Sequence, residues 1–201
     1  MSVSLRCFVG LPLPEAWHQA LDRVVARLAQ RLASRISWTK PGNWHVTLKF
    51  LGEVDVSRLP ELSAALAGVV FAPFALELGL AGQFEQAGRP PKSGPKALWA
   101  GLGLGAEEAA RLARQVDQAL AGCGFKPENR PFRAHVTLGR VKDAAAGEEW
   151  GVVAEELGRE SFGAARVERL VLWRSILGPQ GPKYAALFEF PARAPATTAG
   201  V

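Results

Sequence analysis

The sequence predicts an α+β fold of two similar lobes that flank a central cleft, each lobe a small antiparallel sheet with helices on its outer side. The tetrapeptide His-Val-Thr-Leu occurs at 45–48 and again at 135–138. Gly10 lies 35 residues before His45, and Gly101 lies 34 residues before His135. Helical periodicity fills both intervals. An internal duplication of a strand, a helix and a motif-bearing strand therefore accounts for most of the chain.

The first repeat begins with a strand at 8–13, followed by a helix opened by Pro14 and Glu15, residue types that suit a first helical turn. The apolar face of this helix carries Trp17, Leu21, Val24, Leu28 and Leu32, and another face carries Arg23, Arg27 and Arg31. The motif strand follows. We then expect a helix over 58–68 and one strand through Phe74, Leu76, Leu78 and Leu80, whose side chains alternate.

The second repeat runs from a strand at 99–104 into a helix opened by Glu107 and Glu108, so that the glycines of 101–105 form a strand-to-helix turn. This helix places Leu112, Val116 and Leu120 on one face and ends at Gly122 or Gly124. After the second motif we expect a helix over 150–157 and strands over 168–175 and 184–190. The segment 86–96 is predicted to be a surface loop and 192–201 a disordered tail, leaving 1–191 as a single bilobal domain.

Composition predicts a soluble cytoplasmic protein with a substantial core. The 201 residues are 48% hydrophobic, and the net charge of +5 favours polyanionic partners. Cys7 and Cys123 lack the spacing of a disulfide framework or a metal motif. Arg6 and Pro12 interrupt the apolar start, and no later stretch approaches 18 apolar residues, so we expect no membrane segment. We expect a monomer.

The two motifs predict an acid and base pair. Strand alternation places His45 and Thr47 on one face, with Val46 and Leu48 on the other. An imidazole serves as proton donor or acceptor near neutrality, and a hydroxyl holds a phosphate oxygen. Since the entering and leaving oxygens of an in-line phosphoryl transfer lie on opposite sides of phosphorus, two facing half-sites suit the cleavage of a phosphodiester.

The longer segments around the motifs carry a family resemblance. The segments 44–52 (WHVTLKFLG) and 130–140 (RPFRAHVTLGR) resemble the 2H phosphoesterase superfamily, and within it the bacterial and archaeal RNA 2′,3′-cyclic phosphodiesterases, also called 2′-5′ RNA ligase-like proteins. The resemblance covers roughly 4–190, including the strand at 7–11 and the late Gly-Pro-Lys-Tyr at 181–184.

This resemblance implies a substrate, a product and roles. His45 would donate a proton to the leaving 3′ oxygen, and His135 would accept one from water, converting a 2′,3′-cyclic phosphate end of RNA or an oligonucleotide into a 2′-phosphate. The resemblance also implies a reversible 2′-5′ RNA ligase activity. It further implies that Arg140 contacts the phosphate or nucleotide. Strict alternation along the strand, however, places its side chain on the other face of the strand from His135. A bulge or the strand's end after Gly139 would bring it to the cleft.

Lys49 shares the parity of His45, and Arg133 that of His135, so both are further candidates for binding phosphate, beside Thr47 and Thr137. We predict no metal and no cofactor, because two histidines are too few for a typical zinc site and neither motif brings Cys, Asp or Glu at ligand spacing. His18, which has no Thr partner, is expected to be an ordinary helical histidine on or near the surface.

Two other functions remain open. One is a related 2H phosphodiesterase that acts on 2′-5′ oligoadenylate or on a cyclic phosphate derived from ADP-ribose. The other is a non-catalytic RNA-binding module. Basic and aromatic residues near the motifs would form an RNA groove in that case, or serve as core aromatics and solvated charges: Trp38, Lys40, Trp44, Arg130, Phe132 and Arg133. By parity, Trp44 is expected to face the core.

Overall fold

The computed structural model describes residues 3–84, 94–179 and 181–193, and over that range it contains ten strands and four α-helices. The strands are β1 (Ser4–Pro12), β2 (Arg35–Trp38), β3 (His45–Asp55), β4 (Phe74–Leu76), β5 (Leu78–Phe84), β6 (Ala97–Leu102), β7 (His135–Asp143), β8 (Ala165–Val167), β9 (Arg169–Ile176) and β10 (Lys183–Pro191). The helices are α1 (Glu15–Arg31), α2 (Leu59–Ala67), α3 (Ala106–Ala121) and α4 (Val152–Gly158). The predicted α+β fold with an internal duplication is confirmed.

The two motif strands lie side by side at the middle of an eight-stranded sheet. Its order is β10-β9-β1-β3-β7-β6-β5, and β2 pairs with the far end of β7. β3 and β7 are antiparallel and meet at Val46 and Val136, the second residue of each strand. From this point the strands run in opposite directions, each into its own lobe. The lobes are therefore joined edge to edge into one sheet at the motifs.

Each lobe also contains strands from the other repeat. β5, which follows the first motif, pairs with β6, whereas β9, which follows the second motif, pairs with β1. The short strands β4 and β8 pair with each other in a separate two-stranded sheet. The predicted order of helix and strand after each motif is thus present in both repeats, and both repeats are needed to complete either lobe.

Helix α1 buries one face in the core and forms ion pairs with the second repeat through another face. Its buried side chains include Trp17, Leu21, Val24 and Leu28, as the periodicity predicted. Its three arginines pair with acidic residues in and just after α4. The side chain of Glu156 is fully buried and lies 2.6 Å from both Arg27 and Arg31, while Glu160 lies 2.8 Å from Arg23.

The strand predicted through 74–80 is wrong as a single element. At Glu77 the chain passes from β4, in the two-stranded sheet, to β5, in the eight-stranded sheet. Glu77 belongs to neither strand and makes two backbone hydrogen bonds. The Glu77 amide donates to the carbonyl of Leu104, and the amide of Gly103 donates to the carbonyl of Glu77. The structure also adds β2 and β8, which the sequence analysis did not predict. At four and three residues they are too short for alternation to be recognised.

The glycines after β6 form the predicted turn into α3. Gly105 has a left-handed backbone with φ of 78°, and a Cβ there would lie 2.1 Å from the carbonyl oxygen of Ala75. Only glycine fits such an approach. At the other end, α3 stops at Ala121 with Gly122 as its cap.

Residues 86–93 of the predicted loop at 86–96 lie outside the described residues. The part of the predicted tail beyond Arg193 also lies outside them. The amides of Ala192 and Arg193 still donate to the carbonyls of Glu168 and Phe71. No helix within the described ranges is long and apolar enough to cross a bilayer.

Candidate active site

The register between β3 and β7 brings the two motifs onto one face. Val46 and Val136, which face each other across the pair, are completely buried, so their neighbours point to the opposite side. Extending the antiparallel register by one residue each way places His45 opposite Thr137 and Thr47 opposite His135. The two histidines are then diagonal neighbours, a relationship that in sheets separates Cα atoms by roughly 7 to 8 Å. That separation leaves room for one phosphate group.

Both imidazoles are held in the same tautomer by backbone carbonyls. The Nδ1 atom of His45 lies 2.8 Å from the carbonyl oxygen of Asn43, and Nδ1 of His135 lies 2.6 Å from that of Arg133. Because a carbonyl only accepts, each Nδ1 carries a hydrogen and donates it. When the rings are neutral, Nε2 of each is therefore the unprotonated nitrogen. The carbonyl in each case belongs to the residue two positions before the histidine, so the duplication extends to this contact.

Aromatic rings surround His45. Phe8 lies 4.7 Å from it between ring centroids, Tyr184 lies 5.1 Å away edge-on, and Trp173 lies 5.8 Å away. Burial among these rings lowers the pKa of His45 from 6.5 to about 4, although its hydrogen bond to Asn43 acts in the opposite direction. The positive charges of His135 and His18 in their protonated forms lower it further. His45 is thus neutral in the free protein near pH 7.

His135 has a different environment. Trp99 lies edge-on to it, with ring centroids 5.9 Å apart. Burial is the main cause that lowers the pKa of His135 below 6.5, the contact with the carbonyl of Arg133 raises it, and the charge of Arg140 lowers it. A guanidinium close enough to act on His135 is also close enough to act on an anion bound beside that histidine.

A cavity of about 610 Å³ lies against part of the motif face, and His135 is not among its described lining residues. His45, Thr47, Thr137 and Arg140 line it together, and Trp38 and Lys40 contribute from the β2 side. A cavity of this size is typical of small-molecule and cofactor sites. The two threonine hydroxyls, which are neutral hydrogen-bond donors, therefore share this space with the imidazole of His45 and the guanidinium of Arg140.

A bulge in β7 places Arg140 in this cavity. The pairing of β6 with β7 shifts by one residue between Gly139 and Thr137, so Leu138 is the extra residue. Leu138 and Gly139 are consecutive buried residues, and alternation resumes with Arg140 on the face of His135. The bulge lies immediately before Gly139 and not after it. A Cβ at Gly139 would lie 2.7 Å from a side-chain carbon of Ile36 and 2.8 Å from one of Trp38, so a larger residue there would have to displace these side chains.

The same bulge in β3 removes Lys49 from the motif face. The pairing of β1 with β3 shifts between Lys49 and Thr47, which makes Leu48 the extra residue. Lys49 is only 8% exposed, and its ammonium group donates to Asp117 of α3 and to the carbonyl of Lys126. The expectation that Lys49 faces the phosphate together with His45 is therefore wrong. Strict alternation was assumed across a position where the strand has an additional residue.

Phe50 lies where Lys49 was expected. After the bulge it returns to the face of His45 and lines the 610 Å³ cavity, and 65% of the residue is exposed. Sequence reasoning missed Phe50 because its parity is opposite to that of His45. Its position five residues after His45, equivalent to that of Arg140 after His135, was the available signal.

The other basic and aromatic candidates divide between the cleft, the core and the surface. Trp44 is buried, as parity predicted, and its indole donates to Asp22. Arg133 precedes β7, so strand parity does not apply to it. Its side chain is exposed and is absent from the described lining of the cavity, whereas its backbone carbonyl orients His135. Arg130 is exposed and Phe132 is partly buried, and neither belongs to that lining.

Phe8, Trp173 and Tyr184 are further residues of the site that the sequence did not indicate. They come from β1, β9 and β10, and their place beside His45 depends on the pairing of those strands. Among the described residues, no group of three or more His, Cys, Asp or Glu side chains is arranged to hold a metal ion.

Comparisons with known proteins agree with this geometry. The family model described as LigT like Phosphoesterase matches residues 11–92 and 104–184, one match for each repeat. An RNA 2′,3′-cyclic phosphodiesterase of Aeropyrum pernix is 36% identical over 176 residues, which span 84% of this chain and 97% of that protein. A protein of the same name from Archaeoglobus fulgidus is 33% identical, over 92% of this chain and 99% of its own.

Solved structures share the fold. The protein TT0787 of Thermus thermophilus superimposes with a TM-score of 0.72 at 27% identity, covering 94% of this chain and 98% of its own. E. coli LigT complexed with 3′-AMP superimposes with a TM-score of 0.71 at 22% identity, covering 96% of this chain and all of its own. The chain therefore belongs to the LigT-like phosphoesterase family, within the 2H phosphoesterases that its two His-x-Thr motifs resemble.

Proposed function

We propose that the protein hydrolyses the 2′,3′-cyclic phosphate ends of RNA or oligonucleotides to 2′-phosphomonoesters, without a metal ion, with His45 as proton donor and His135 as proton acceptor. The chain is an RNA 2′,3′-cyclic phosphodiesterase, as its curated relatives are named. The observation that carries the mechanism is that two imidazoles with the same Nδ1-bound tautomer share one strand face with two threonines.

The reaction balances with these groups alone. A water molecule attacks phosphorus in line with the bond to the 3′ oxygen, and Nε2 of His135 takes its proton. The bond from phosphorus to the 3′ oxygen breaks, and the protonated Nε2 of His45 gives its proton to that oxygen. The product has a 2′-phosphate and a 3′-hydroxyl. His135 is left protonated and His45 neutral, and exchange with solvent restores both.

Thr47, Thr137 and Arg140 stabilise the charge that develops on the non-bridging oxygens. Hydroxyls and a guanidinium directed at the phosphate act most strongly in a site from which water is largely excluded. The bound phosphate anion also favours the protonated form of His45, which takes its proton from solvent. Since that ring is neutral in the free protein near pH 7, the phosphodiester anion must raise its pKa when substrate binds.

The decisive assay measures hydrolysis of a 2′,3′-cyclic nucleotide in excess EDTA, with the product identified as the 2′ or the 3′ monoester. We expect full activity in EDTA and a 2′ product. His45→Ala and His135→Ala should each reduce kcat by about 10²- to 10⁴-fold. Gln19→Ala, at an exposed residue of α1 outside the described lining of the cavity, serves as the control and should retain the activity. Loss of turnover in EDTA would contradict the metal-free mechanism, and an undiminished rate in either motif variant would contradict the site.

A substrate with a different leaving group distinguishes the proton donor, His45, from the proton acceptor, His135. A phosphodiester with a p-nitrophenyl leaving group needs little protonation as the bond breaks, so loss of the acid should matter less for it. We expect His45→Ala to recover much of its rate on this substrate and His135→Ala to remain inactive. The opposite pattern would reverse the assignment.

The same arrangement carries out a 2′-5′ ligation when a 5′-hydroxyl replaces water as the nucleophile at His135. This ligation is reversible, because the group that protonates an oxygen in one direction removes the proton in the other. Turnover of a 2′-5′ oligoadenylate or of a cyclic phosphate of ADP-ribose would use the same histidines, and a substrate panel distinguishes these activities. Binding of RNA that is unaffected by loss of the imidazoles, without turnover, would indicate a binding module instead.

Residues 1–191 are proposed to act as one bilobal, monomeric and cytoplasmic enzyme. The exchange of β5 and β9 between the repeats supports a single domain, because each lobe lacks a strand unless both repeats are present. Sedimentation of the purified chain gives its mass in solution, and a dimer would contradict the monomer.

A further inference from the structure

A second pocket lies next to His45 and is not used by the acid-base chemistry. It has a volume of about 220 Å³. The cleft is the 610 Å³ cavity against the motif face. Three residues line both this pocket and the cleft and form the boundary between them: Asn43, His45 and Tyr184. Thr47, Thr137 and Arg140 line only the cleft. The second pocket therefore begins at the first histidine and extends away from the phosphate-binding groups.

The walls of this pocket suit a planar heteroaromatic ring. Val171 is buried and Trp173 is partly buried, and they provide an apolar floor from β9. His18, from the second turn of α1, and the pair Arg169 and Glu189 provide hydrogen-bonding groups. An RNA base in a single strand is typically recognised by an apolar or aromatic surface against its face and by polar groups along its edge.

The size and the charges favour one base. A volume of 220 Å³ corresponds to about seven water molecules at roughly 30 Å³ each, which is the scale of a pyrimidine or purine ring and too small for a whole nucleotide. Arg169 and Glu189 lie 3.1 Å apart with about half of each side chain exposed, and such surface pairs are weak. Each can exchange its partner for the edge of a base.

The direction of the RNA chain indicates which nucleotide has its base near the second pocket. In the proposed reaction the 3′ oxygen leaves toward His45, so the terminal ribose lies on the His45 side of the phosphorus and water enters from the His135 side. The preceding nucleotide is joined through the 5′ carbon of that ribose and has to continue away from His135. The second pocket lies in that direction, immediately past the ring of His45.

We propose that this pocket binds the base of the nucleotide that precedes the cyclic phosphate, so that the enzyme recognises an RNA end of at least two nucleotides. The proposal rests on the proposed function and adds a subsite to it. His18 then has a role in substrate recognition, in contrast to the ordinary helical histidine expected from the sequence.

The test compares kcat/KM for three substrates: a mononucleotide 2′,3′-cyclic phosphate, a dinucleotide with the same cyclic end, and that dinucleotide without its first base. Stacking of one base corresponds to roughly 5- to 100-fold in affinity. We expect the wild-type protein to prefer the complete dinucleotide by a factor in this range and to treat the abasic one like the mononucleotide. Equal rates on all three, or an abasic dinucleotide as good as the complete one, would overturn the proposal.

Two variants locate the subsite. His18→Trp fills the pocket, and we expect it to reduce the ratio of kcat/KM between the dinucleotide and the mononucleotide to about one. Gln19→Trp is the matched control, because Gln19 is the exposed neighbour of His18 on α1 and lies outside the described lining of the pocket. It should keep the preference.

If His18→Trp fails to fold by circular dichroism, Arg169→Ala provides the second test, because this exposed side chain can be shortened without disturbing the core. It should weaken the dinucleotide preference alone. A preference that survives Arg169→Ala and any folded His18→Trp, or an equal loss on both substrates, would overturn the subsite. A wild-type protein that cleaves none of the substrates would instead contradict the proposed function.

Discussion

Phe50 and Arg140 occupy equivalent positions in the two repeats, and both reach the cleft because of the same structural irregularity. Each follows its motif histidine by five residues, and each comes after a bulge whose additional residue is the leucine of His-Val-Thr-Leu. The duplication therefore preserves the backbone but gives the two half-sites different side chains. One presents an exposed phenyl ring and the other a guanidinium. A nucleotide is equally asymmetric, with an aromatic base on one side and an anionic phosphate on the other.

Arg140→Ala is expected to lower kcat/KM by about 10²- to 10³-fold, the loss typical for one donor to a developing oxyanion. Arg140→Lys should recover part of this, since it retains the charge but not the planar fork. Steady-state kinetics on a cyclic nucleotide measures both. Arg133→Ala is the control, because its exposed side chain is not part of the described cleft lining, and it should remain near the wild-type value. A large effect at Arg133 together with none at Arg140 would contradict the placement.

Phe50→Ala should raise KM roughly tenfold with a smaller change in kcat. The ring has no atom that takes part in proton transfer, and stacking of a base on an aromatic side chain contributes about 1 to 3 kcal/mol. Phe50→Tyr retains the ring and should retain KM. If both variants have unchanged KM values, Phe50 does not contact the substrate.

The pH dependence of kcat/KM follows from the lowered pKa values of both histidines. Catalysis needs one imidazole protonated and the other neutral. With the pKa of His45 at about 4 and that of His135 below 6.5, this combination is most populated in the free protein below pH 6.5. We expect kcat/KM to fall as the pH rises from 6.5 to 8, because the imidazolium form is lost above its pKa.

The profile of kcat should lie at higher pH than that of kcat/KM, because a bound phosphodiester anion stabilises the imidazolium. A value of kcat/KM that stays constant between pH 6.5 and 8 would contradict the lowered pKa values. Arg140→Ala provides an internal check on the cause. Removing this cation should raise the pKa of His135 and shift the profile of kcat/KM toward higher pH.

Lys49→Met is expected to destabilise the protein without altering its chemistry. The lysine is buried and paired with Asp117, and removing one partner of a buried ion pair costs about 3 to 5 kcal/mol. Denaturant unfolding measures this, and kcat at 25 °C should stay within about twofold of wild type. The double variant Lys49→Met with Asp117→Leu should recover much of the stability. A loss of activity that exceeds the loss of folded protein would show that Lys49 contributes to the active site.

Glu156→Gln should destabilise the protein at pH 7, and this difference should disappear in acid. Hydrogen bonds from Arg31 and Arg27 hold the pKa of Glu156 below 4.5. A depressed pKa contributes stability that is present above about pH 4.5 and is lost as the pH falls through the lower value. Unfolding measured at pH 7 and at successively lower pH tests this. Glu155→Gln, at an exposed pair with Arg31, should have little effect at any pH.

Much of this architecture could be predicted from the repeats. The amphipathic stretch containing Trp17, Leu21 and Val24 and the alternation of His45 with Val46 are local patterns, and local patterns survive in the fold because burial follows them. The failures occurred where the pattern is interrupted. Lys49 and Phe50 exchange faces at one additional residue, and the strand predicted through 74–80 divides at Glu77, where the chain passes between two sheets.

The sequence by itself determined the identity of the chemical groups: two histidines and two threonines in duplicated frames, and hence the kind of reaction. The tertiary structure decided which other side chains join them. The aromatic surroundings of His45 come from Phe8, Trp173 and Tyr184, on three strands that are distant in the sequence, and the register and bulges of those strands determine which faces meet. Register depends on pairing energies summed along whole strands, and no single segment of the chain contains that information.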